Sequence, residues 1–340
     1  MKTTLISLLL FTFGISSWAQ QPQQHRRPFG MMQSFETDSP MVHDPVMAYD
    51  NGTYYLYSTG MGLQVMTSKD RKKWTFHPQP LIKNIPEWTH EIVPEFRGHV
   101  WAPDIIKYHG KWWLTYACSS FGKNTSAIGV MSNTTLDLTD SLNYQWKDEG
   151  MVIRSEAGKN NWNAIDPNII IDENDTPWMN FGSFWGGMQL VKLDTAMHVT
   201  NPIDIRTIAS RRSSDPSVKA GSNAIEAPFI FRHAGYYYLF VSFDYCCRGA
   251  KSDYKVAVGR SKSVTGPYID RKGKAMTEGG GTIILQGDGK QWAGAGHCGV
   301  YHFNDGDFLI CHGYSIPQDG MSILIQKKIN WTKDKWPELE

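Results

Sequence analysis

Several features that would place this chain in other protein classes are missing from its sequence. The 340 residues carry 34 basic and 33 acidic side chains, so net charge indicates neither a nucleic acid nor an anionic membrane as partner. Beyond residue 15 no apolar run is long enough to span a bilayer. No sustained amphipathic pattern of helical period occurs either. We therefore expect no nucleic-acid binding, no membrane insertion and little helix.

Cysteine is scarce and irregularly spaced. The five cysteines are Cys118, Cys246, Cys247, Cys298 and Cys311. Their odd number and their spacing match neither a zinc site nor the disulfide framework of a small secreted domain. We expect buried thiols, with a vicinal disulfide between the two adjacent cysteines as the alternative.

The first residues have the features of an export signal. Lys2 supplies a positive charge, residues 5–15 are apolar, and residues 17–19 read Ser-Trp-Ala, a small-residue cleavage pattern. Residues 1–19 are therefore predicted to be a signal peptide of a secreted or periplasmic protein. Residues 20–36 are polar and rich in Gln and Pro, which predicts a disordered leader before one domain at 37–340.

A repeat of strand signals runs through the remaining chain. At intervals of roughly sixty residues a polar residue begins a strand-like segment, and these residues are Asp44, Asp104, Asp166, Glu226 and His297. A Gly-, Asn- or Asp-containing turn and two further strand-like segments follow each one. A period of this size built from strands predicts an all-β fold, a five-bladed β-propeller.

The repeat also predicts the limits of the blades, at 38–98, 99–160, 161–220, 221–290 and 291–340. Their fourth strands are expected at 74–77, 144–149, 203–208, 267–270 and 329–331. Since the chain would start on a first strand and finish on a fourth, we expect the ring to close without exchanging a strand.

First strands of a propeller line its central channel, so the five repeated residues should meet at one mouth. Paired carboxylates are what glycoside hydrolysis requires, one as general acid and one as general base. In an inverting enzyme the two stand ~6.5–9.5 Å apart, which leaves room for a water molecule. Geometry alone does not say which acid would have which role.

Five short motifs carry a family resemblance. They are HDP at 43–45, WAPD at 101–104, AIDPN at 164–168, IEAP at 225–228 and GHCG at 296–299. In this order they resemble glycoside hydrolase family 43, a family of five-bladed propellers. SFWGG at 183–187 and FDYCCRG at 243–249 look like its endo-α-1,5-L-arabinanase branch.

The resemblance implies roles for individual residues. Asp44 would be the general base, Glu226 the general acid, and Asp166 the residue that orients Glu226 and raises its pKa. The reaction would be a single displacement with inversion. The resemblance also implies a calcium ion in the channel, held by His297 and water molecules.

Seven further residues are candidates for substrate binding. Aromatic rings stack on sugar faces, and polar groups take sugar hydroxyls. Trp101 has a stacking or a packing role, Asp104 binds substrate or is a hydrogen-bonded channel residue, and Asn168 is expected to fix the Asp166 loop. The others lie in predicted rim loops and are Phe121, Ser183, Trp185 and Arg248.

The predicted partner is a polysaccharide, the arabinan of pectin side chains, and the protein is expected to be a monomer. Internal cleavage is expected because no accessory domain follows the fifth blade to wall off the cleft. One alternative is an exo-acting α-L-arabinofuranosidase or β-xylosidase of the same family. An alternative of another class is a non-catalytic carbohydrate-binding propeller.

Overall fold

Short strands make up most of the regular structure in the computed structural model, which describes residues 33–211 and 223–340. The first part of the chain contains β1 (Phe35–Thr37), β2 (Val46–Asp50), β3 (Thr53–Ser58), β4 (Gly60–Met61), β5 (Gln64–Ser68), β6 (Trp74–His77) and the helix α1 (Trp88–Ile92). Then come β7 (His99–Tyr108), β8 (Lys111–Cys118), β9 (Ser126–Asn133), β10 (Lys147–Ser155), β11 (Asn168–Ile171), β12 (Pro177–Phe181), β13 (Met188–Lys192) and β14 (Arg206–Ala209). The last part contains β15 (Ile225–His233), β16 (Tyr236–Phe243), β17 (Lys255–Ser261), β18 (Thr282–Gln286), β19 (Trp292–Phe303), β20 (Gly306–Ser315), β21 (Met321–Trp331) and β22 (Pro337–Leu339).

These strands form five antiparallel sheets of four or five strands, which are the blades of the predicted five-bladed propeller. The sheet orders are β1-β6-β5-β3-β2, β10-β9-β8-β7-β4, β11-β12-β13-β14, β15-β16-β17-β18 and β19-β20-β21-β22. In each blade the later strands follow outward from the first long strand, as a propeller requires. In the second blade the short β4 pairs with the other edge of β7.

Tight turns between first and second strands set the register of three blades. The central residues Asn51–Gly52, His109–Gly110 and Ala234–Gly235 all have positive φ, between 46° and 79°. Two successive left-handed residues define the two-residue hairpin whose twist matches that of the strands. The predicted turns at these positions are therefore confirmed.

Hydrophobic clusters fill the space between neighbouring blades and close the ring. Each cluster contains residues of two neighbouring blades. Fully buried Leu114 lies in the cluster of the first and second blades, Leu190 in that of the third and fourth, and Leu309 in that of the fourth and fifth. Another cluster joins Leu56 of the first blade to Ile310 of the fifth. Burying such a side chain stabilises the fold by about 1.5–3 kcal/mol.

The structure corrects several predicted boundaries. Phe35 and Glu36, placed in the leader, form a strand that pairs with Phe76 and Thr75. The fourth strand of the fourth blade is β18, because residues 267–270 make only isolated bridges through Ile269. In the fifth blade, residues 329–331 are the end of the third strand and pair with β22.

The remaining fourth strands and the ring closure differ in smaller ways. The strand at 74–77 is confirmed, whereas β10 and β14 lie later than the predicted 144–149 and 203–208. Ring closure involves an isolated bridge between Met41 and Ile323, so the segment between β1 and β2 also joins the last blade. The predicted signal peptide at 1–19 and most of the leader at 20–36 fall outside the described residues. No helix in the described part of the chain has the length and apolarity needed to span a membrane.

Candidate active site

A cavity of about 970 Å³ lies at the mouth of the propeller. Its lining includes Asp44, Asp166, Glu226 and His297, four of the five repeated residues. They come from the first, third, fourth and fifth blades, so residues far apart in sequence meet here as predicted. A cleft of this volume is at the upper end of the range for small-molecule sites and has room for several sugar residues.

The first strand of each blade is kinked at the mouth by one residue in the left-handed region. These residues are Asp44, Ala102, Asp166, Ala227 and His297, with φ between 37° and 56°. Non-glycine residues are uncommon in this region, and such positions concentrate at functional sites. The kink turns the strand so that side chains at or beside it face the cleft.

Neighbouring blades hold the kinked backbone. The N–H of Ala102 donates to Thr59 Oγ1 at 2.8 Å, and the N–H of Ala227 donates to Asp166 Oδ2 at 3.2 Å. His297 N–H donates to Ser242 Oγ at 2.8 Å. Each bond runs from one blade to the blade before it, so the packing of the ring fixes the position of the cleft residues.

Asp44 is buried and surrounded by hydrogen-bond donors. His43 Nδ1 and His297 Nδ1 each lie 2.9 Å from its Oδ1, and Thr59 Oγ1 donates to its Oδ2 at 2.6 Å. Burial acts to raise the pKa of Asp44, but the two histidines outweigh it and hold that pKa well below the ordinary value. Asp44 is therefore ionised at neutral pH.

The lone pairs of Asp44 are almost fully used. Each carboxylate oxygen accepts two hydrogen bonds, and Oδ1 is occupied by His43 and His297. Among the contacts described, Oδ2 accepts from Thr59, which leaves it one lone pair. That lone pair is the one available to a water molecule in the cleft.

Glu226 and Asp166 have the opposite electrostatic character. Burial raises the pKa of Glu226, although its contacts with Tyr254 and Ser183 act against the rise. Burial, with the charges of Glu226 and Asp44, raises the pKa of Asp166 to about 8, while His297 opposes the increase. Two buried carboxyl groups that repel each other keep a proton between them near neutral pH.

Hydrogen bonds orient these two acids. Ser183 Oγ donates to Glu226 Oε2 at 2.8 Å, and the two residues also form an isolated β-bridge. Asp166 Oδ2 accepts the N–H of Ala227, the residue after Glu226. Asp166 is thus tied to the backbone that carries Glu226, which is the geometry expected of an orienting residue.

The cleft wall contains five of the seven residues predicted to bind substrate. They are Trp101, Phe121, Ser183, Trp185 and Arg248. Phe121 is 80% exposed on this wall, where its ring is accessible to a ligand in the cleft. Arg248 lies over the ring of Tyr245 at 3.9 Å, so its guanidinium is positioned rather than freely solvated.

Asp104 and Asn168 are not among the residues that line the cleft, and Asp104 has the alternative predicted for it, that of a hydrogen-bonded residue. Asp104 is buried, and its Oδ2 accepts the N–H of Ile169 at 2.7 Å and Asn168 Nδ2 at 3.2 Å. Asn168 Oδ1 accepts the N–H of Ile230 at 2.9 Å. Both side chains therefore join blades beneath the cleft, and burial raises the pKa of Asp104 to about 6.

Sequence reasoning missed a group of polar residues around Asp44. Thr59 directly follows β3, and His312 and Tyr314 lie in β20. A signal was present, because three polar residues in or just after second strands, Thr59, Ser242 and His312, lie opposite the residue that precedes the kink of their blade. His43, the residue before Asp44, also donates to its carboxylate.

Among the described residues, His43, Asp44 and His312 place possible metal-ligand atoms within 4.8 Å of one another. Their ring nitrogens are already engaged. His312 Nδ1 accepts the N–H of Asp44 at 3.1 Å, and His43 Nδ1 lies on the Asp44 carboxylate. This group is therefore explained as a hydrogen-bond network around Asp44.

His297 is the residue predicted to bind calcium. Burial acts to lower its pKa, but the carboxylates of Asp44, Asp166 and Glu226 raise that pKa to about 9. Its Nδ1 faces Asp44, which leaves Nε2 as the atom for a ligand. A histidine that gives one nitrogen to a carboxylate and the other to a metal is the usual arrangement of metal-binding histidines.

Comparisons by sequence and by structure both match enzymes that are named for their action on arabinan. The sequence profile of glycosyl hydrolases family 43 matches residues 39–337. The extracellular exo-α-(1→5)-L-arabinofuranosidase ArbA of Cellvibrio japonicus is 44% identical over 303 residues, which cover 88% of this chain and 86% of that protein. The extracellular endo-α-(1→5)-L-arabinanase 1 of Bacillus subtilis is 44% identical over 303 residues, covering 87% of each. The crystal structure of an exo-1,5-α-L-arabinanase from a bovine ruminal metagenomic library superposes with a TM-score of 0.84 at 51% identity, covering 89% of this chain and 98% of that one.

Proposed function

The chain belongs to glycosyl hydrolases family 43 and is an arabinanase of that family, and from this premise we propose that it cleaves internal α-1,5-L-arabinofuranosidic bonds of arabinan with inversion. Asp44 is the general base, Glu226 the general acid, and Asp166 the residue that positions Glu226 and keeps it protonated. The observation that carries the proposal is the opposite direction of the pKa shifts of Asp44 and Glu226 within one cleft.

The mechanism follows from these two protonation states. A water molecule held by the remaining lone pair of Asp44 Oδ2 attacks the anomeric carbon and gives its proton to Asp44. Glu226 protonates the glycosidic oxygen as the bond to the anomeric carbon breaks, so the leaving arabinose departs as a neutral alcohol. One displacement at the anomeric carbon inverts its configuration.

Asp166 assists without contacting the scissile bond in this scheme. Repulsion between its carboxylate and that of Glu226 disfavours loss of the proton that the pair holds near neutral pH. Its hydrogen bond to Ala227 N–H holds the backbone next to Glu226. Asp166 is thus a positioning residue, and replacing it should reduce kcat more than it changes KM.

Calcium is part of the proposal, with His297 Nε2 as the protein ligand. One imidazole nitrogen is a weak set for an ion that prefers oxygen ligands, so water molecules would complete the coordination. The surrounding carboxylates, Asp44, Asp166 and Glu226, provide the negative charge that favours a cation. When bound, the ion would supply positive charge that favours the ionised form of Asp44.

The proposal also says where the enzyme cleaves the polymer, at internal bonds and not from a chain end. Aromatic side chains line the cleft on loops of the second, third and fourth blades, among them Phe121, Trp185 and Tyr245. Contacts on several sides of the acids favour a chain that extends past the scissile bond in both directions, which supports internal cleavage. The matched exo-acting arabinofuranosidase and exo-acting arabinanase make exo-cleavage the second candidate.

Secretion completes the proposed function. Both matched relatives are named extracellular, and the first nineteen residues have the pattern of a signal peptide. Arabinan side chains of pectin lie outside the cell that degrades them, so export brings the enzyme to its substrate.

Product analysis on linear α-1,5-arabinan tests the proposal. Proton NMR during the first turnovers should show the β-anomer at new reducing ends, and early products should be a ladder of oligomers. An α-anomer as first product would reject inversion. Release of a single short product from the start would favour exo-cleavage, and turnover only on xylosides would point to the β-xylosidase alternative.

A further inference from the structure

Two adjacent cysteines lie in the wall of the proposed substrate cleft. Cys246 and Cys247 follow β16, and both line the cavity that holds the three acids. Their sulfur atoms are 2.6 Å apart. The other three cysteines, Cys118, Cys298 and Cys311, are at most 4% exposed. The vicinal pair is thus where a soluble thiol reagent or disulfide can reach the protein.

The backbone between the two cysteines is connected to the proposed general base. Cys247 N–H donates to the hydroxyl of Tyr314 at 2.7 Å. That hydroxyl lies 2.8 Å from His43 Nε2, and His43 Nδ1 lies 2.9 Å from Asp44 Oδ1. Cys247 Sγ also approaches His43 Nε2 at 3.8 Å.

The protonation states of the histidines set the direction of these hydrogen bonds. His312 Nδ1 accepts a hydrogen bond from Asp44, so its Nε2 carries the proton that faces Tyr314 at 3.2 Å. Burial lowers the pKa of His43, but the Asp44 carboxylate outweighs it and holds that pKa well above the ordinary value, so His43 is protonated. The Tyr314 oxygen therefore accepts the N–H of Cys247 and the Nε2–H of His43. His43 then donates through Nδ1 to Asp44. Loss of the Cys247 N–H removes one of the bonds that fix Tyr314.

We propose that Cys246 and Cys247 form a reversible thiol–disulfide site whose oxidation lowers the activity of the cleft through Tyr314 and His43. The inference rests on the proposed function, because its effect is exerted on the proposed base. The reacting partner is a low-molecular-weight disulfide such as oxidised glutathione, and a dithiol reverses the change.

The chemistry is two successive thiol–disulfide exchanges. The Cys247 thiolate attacks one sulfur of the external disulfide, which gives a mixed disulfide and one free thiol. Cys246 then attacks the Cys247 sulfur, which closes the intramolecular bond and releases the second thiol. Two protein thiols are oxidised and one external disulfide is reduced to two thiols. The neighbouring Cys246, and after it His43, lowers the pKa of Cys247 to about 5 despite partial burial, which makes Cys247 the attacking sulfur.

Ring closure must affect the hydrogen bond to Tyr314. A disulfide between adjacent residues encloses the peptide that joins them, and the enclosed N–H is that of Cys247. The disulfide geometry preferred by proteins separates the two Cα atoms by about 4.4–6.8 Å, more than the about 3.8 Å across a trans peptide. Adjacent residues cannot reach that separation, so the closed ring strains the enclosed peptide and its N–H, and strained, exposed disulfides of this kind are readily reduced.

The experiment uses the full chain at neutral pH. Protein treated with dithiothreitol should show five titratable thiols after denaturation, and protein treated with oxidised glutathione should show three. Intact mass should fall by two hydrogen atoms. On linear arabinan kcat should decrease roughly fivefold, the effect expected from the loss of one hydrogen bond. Dithiothreitol should restore kcat.

Variants separate the site from other thiols. In Cys246→Ser the ring cannot close, so oxidised glutathione should leave a mixed disulfide on Cys247. In Cys247→Ser the oxidant should change neither mass nor kcat. Cys118→Ala, which removes a buried thiol of another blade, should behave as the wild type with one thiol fewer.

Each outcome decides the proposal. Five thiols and an unchanged mass after oxidation would overturn it, and so would a stable mixed disulfide in the wild type. A vicinal disulfide that forms without changing kcat would also overturn it, because the coupling to Asp44 would be absent. Lack of arabinan hydrolysis in both redox states would instead reject the proposed function, while the thiol count and mass would still decide whether the disulfide forms.

Discussion

The hydroxyl of Thr59 lies 2.6 Å from Oδ2 of Asp44 and donates its hydrogen to that carboxylate oxygen. The same hydroxyl accepts the N–H of Ala102 from the second blade at 2.8 Å. Thr59 therefore links the kinked backbone of one blade to the proposed base of another. The oxygen that it contacts is also the one with a lone pair left for water. Thr59 therefore determines which lone pair of Oδ2 remains for the water molecule.

Replacing Thr59 with valine should lower kcat with little change in KM. The substitution keeps the shape and removes a hydrogen bond to a charged group, which contributes about 1.5–3 kcal/mol. Steady-state kinetics on linear arabinan should show kcat reduced by roughly ten- to a hundredfold. Thr59→Ser is the matched control, because it retains the hydroxyl and should keep most of the activity. Equal losses in both variants would mean that packing, and not the hydrogen bond, is what matters.

Glu226→Gln should show a loss that depends on the leaving group. The amide cannot protonate the glycosidic oxygen, and general acid catalysis contributes about 10²–10⁴-fold. On arabinan kcat should fall by that amount, whereas an aryl arabinoside, whose phenolate leaves without protonation, should lose far less. Comparison of the two substrates with the same enzyme preparation provides the control for folding. Similar losses on both substrates would remove Glu226 from the role of acid.

The pH profile should be limited by the two acids. Activity needs Asp44 ionised and Glu226 protonated. The histidines hold the pKa of Asp44 well below its ordinary value, so the acid limb of kcat/KM should lie below about pH 3.9. Burial raises the pKa of Glu226, so the alkaline limb should lie above about pH 4.3, the ordinary value for glutamate.

Ser183→Ala should move only the alkaline limb. The Ser183 hydroxyl donates to Glu226 Oε2, which stabilises the ionised form and lowers the pKa of Glu226. Removing it raises that pKa, so the alkaline limb should shift to higher pH. Ser120→Ala is the control, since its hydroxyl bonds Glu95 and not the acids. A shift toward lower pH in Ser183→Ala would contradict the assignment.

The sequence predicted the ring and most of the cleft because both depend on a repeat. Asp44, Asp166 and His297 are the kinked residues of their blades, Glu226 directly precedes the kinked residue of its blade, and the cleft contains all four. Asp104 shows the limit of that reasoning. The kinked residue of the second blade is Ala102, so Asp104 lies two residues past the kink and faces the neighbouring blade. The kink depends on backbone conformation, which residue type alone does not reveal.

The hydrogen-bond network around Asp44 could not be predicted from the sequence, for a different reason. His312 and Tyr314 belong to the fifth blade and reach Asp44 of the first only because the ring closes. A pattern within one repeat carries no information about contacts across that closure. Fourth strands were misplaced because they lie on the outside of the ring, where alternation is weak and loops vary in length.

Calcium binding, if His297 holds the ion, should strengthen as pH rises toward 9. The surrounding carboxylates raise the pKa of His297 to about 9, and a protonated imidazole cannot ligate a metal. Below that pH each unit should weaken the affinity about tenfold. Isothermal titration of chelator-treated protein with calcium at several pH values measures this directly. His297→Ala should abolish the binding, and retained binding would place the ion elsewhere.

Phe121 gives the clearest test of substrate contact outside the acids. Its side chain is 80% exposed on the cleft wall, where it contributes little to folding and is available to stack on a sugar ring. Phe121→Ala should therefore raise KM for linear arabinan roughly fivefold, about 1 kcal/mol of lost contact, with kcat and thermal stability unchanged. Leu142, 83% exposed and not part of the cleft lining, provides the matched control, and Leu142→Ala should leave KM unchanged. Because KM reports binding along the polymer, the effect in Phe121→Ala should grow with chain length until the oligomer reaches this side chain and then stay constant. A KM that is insensitive to the Phe121 substitution at every length would show that the polymer follows another part of the rim.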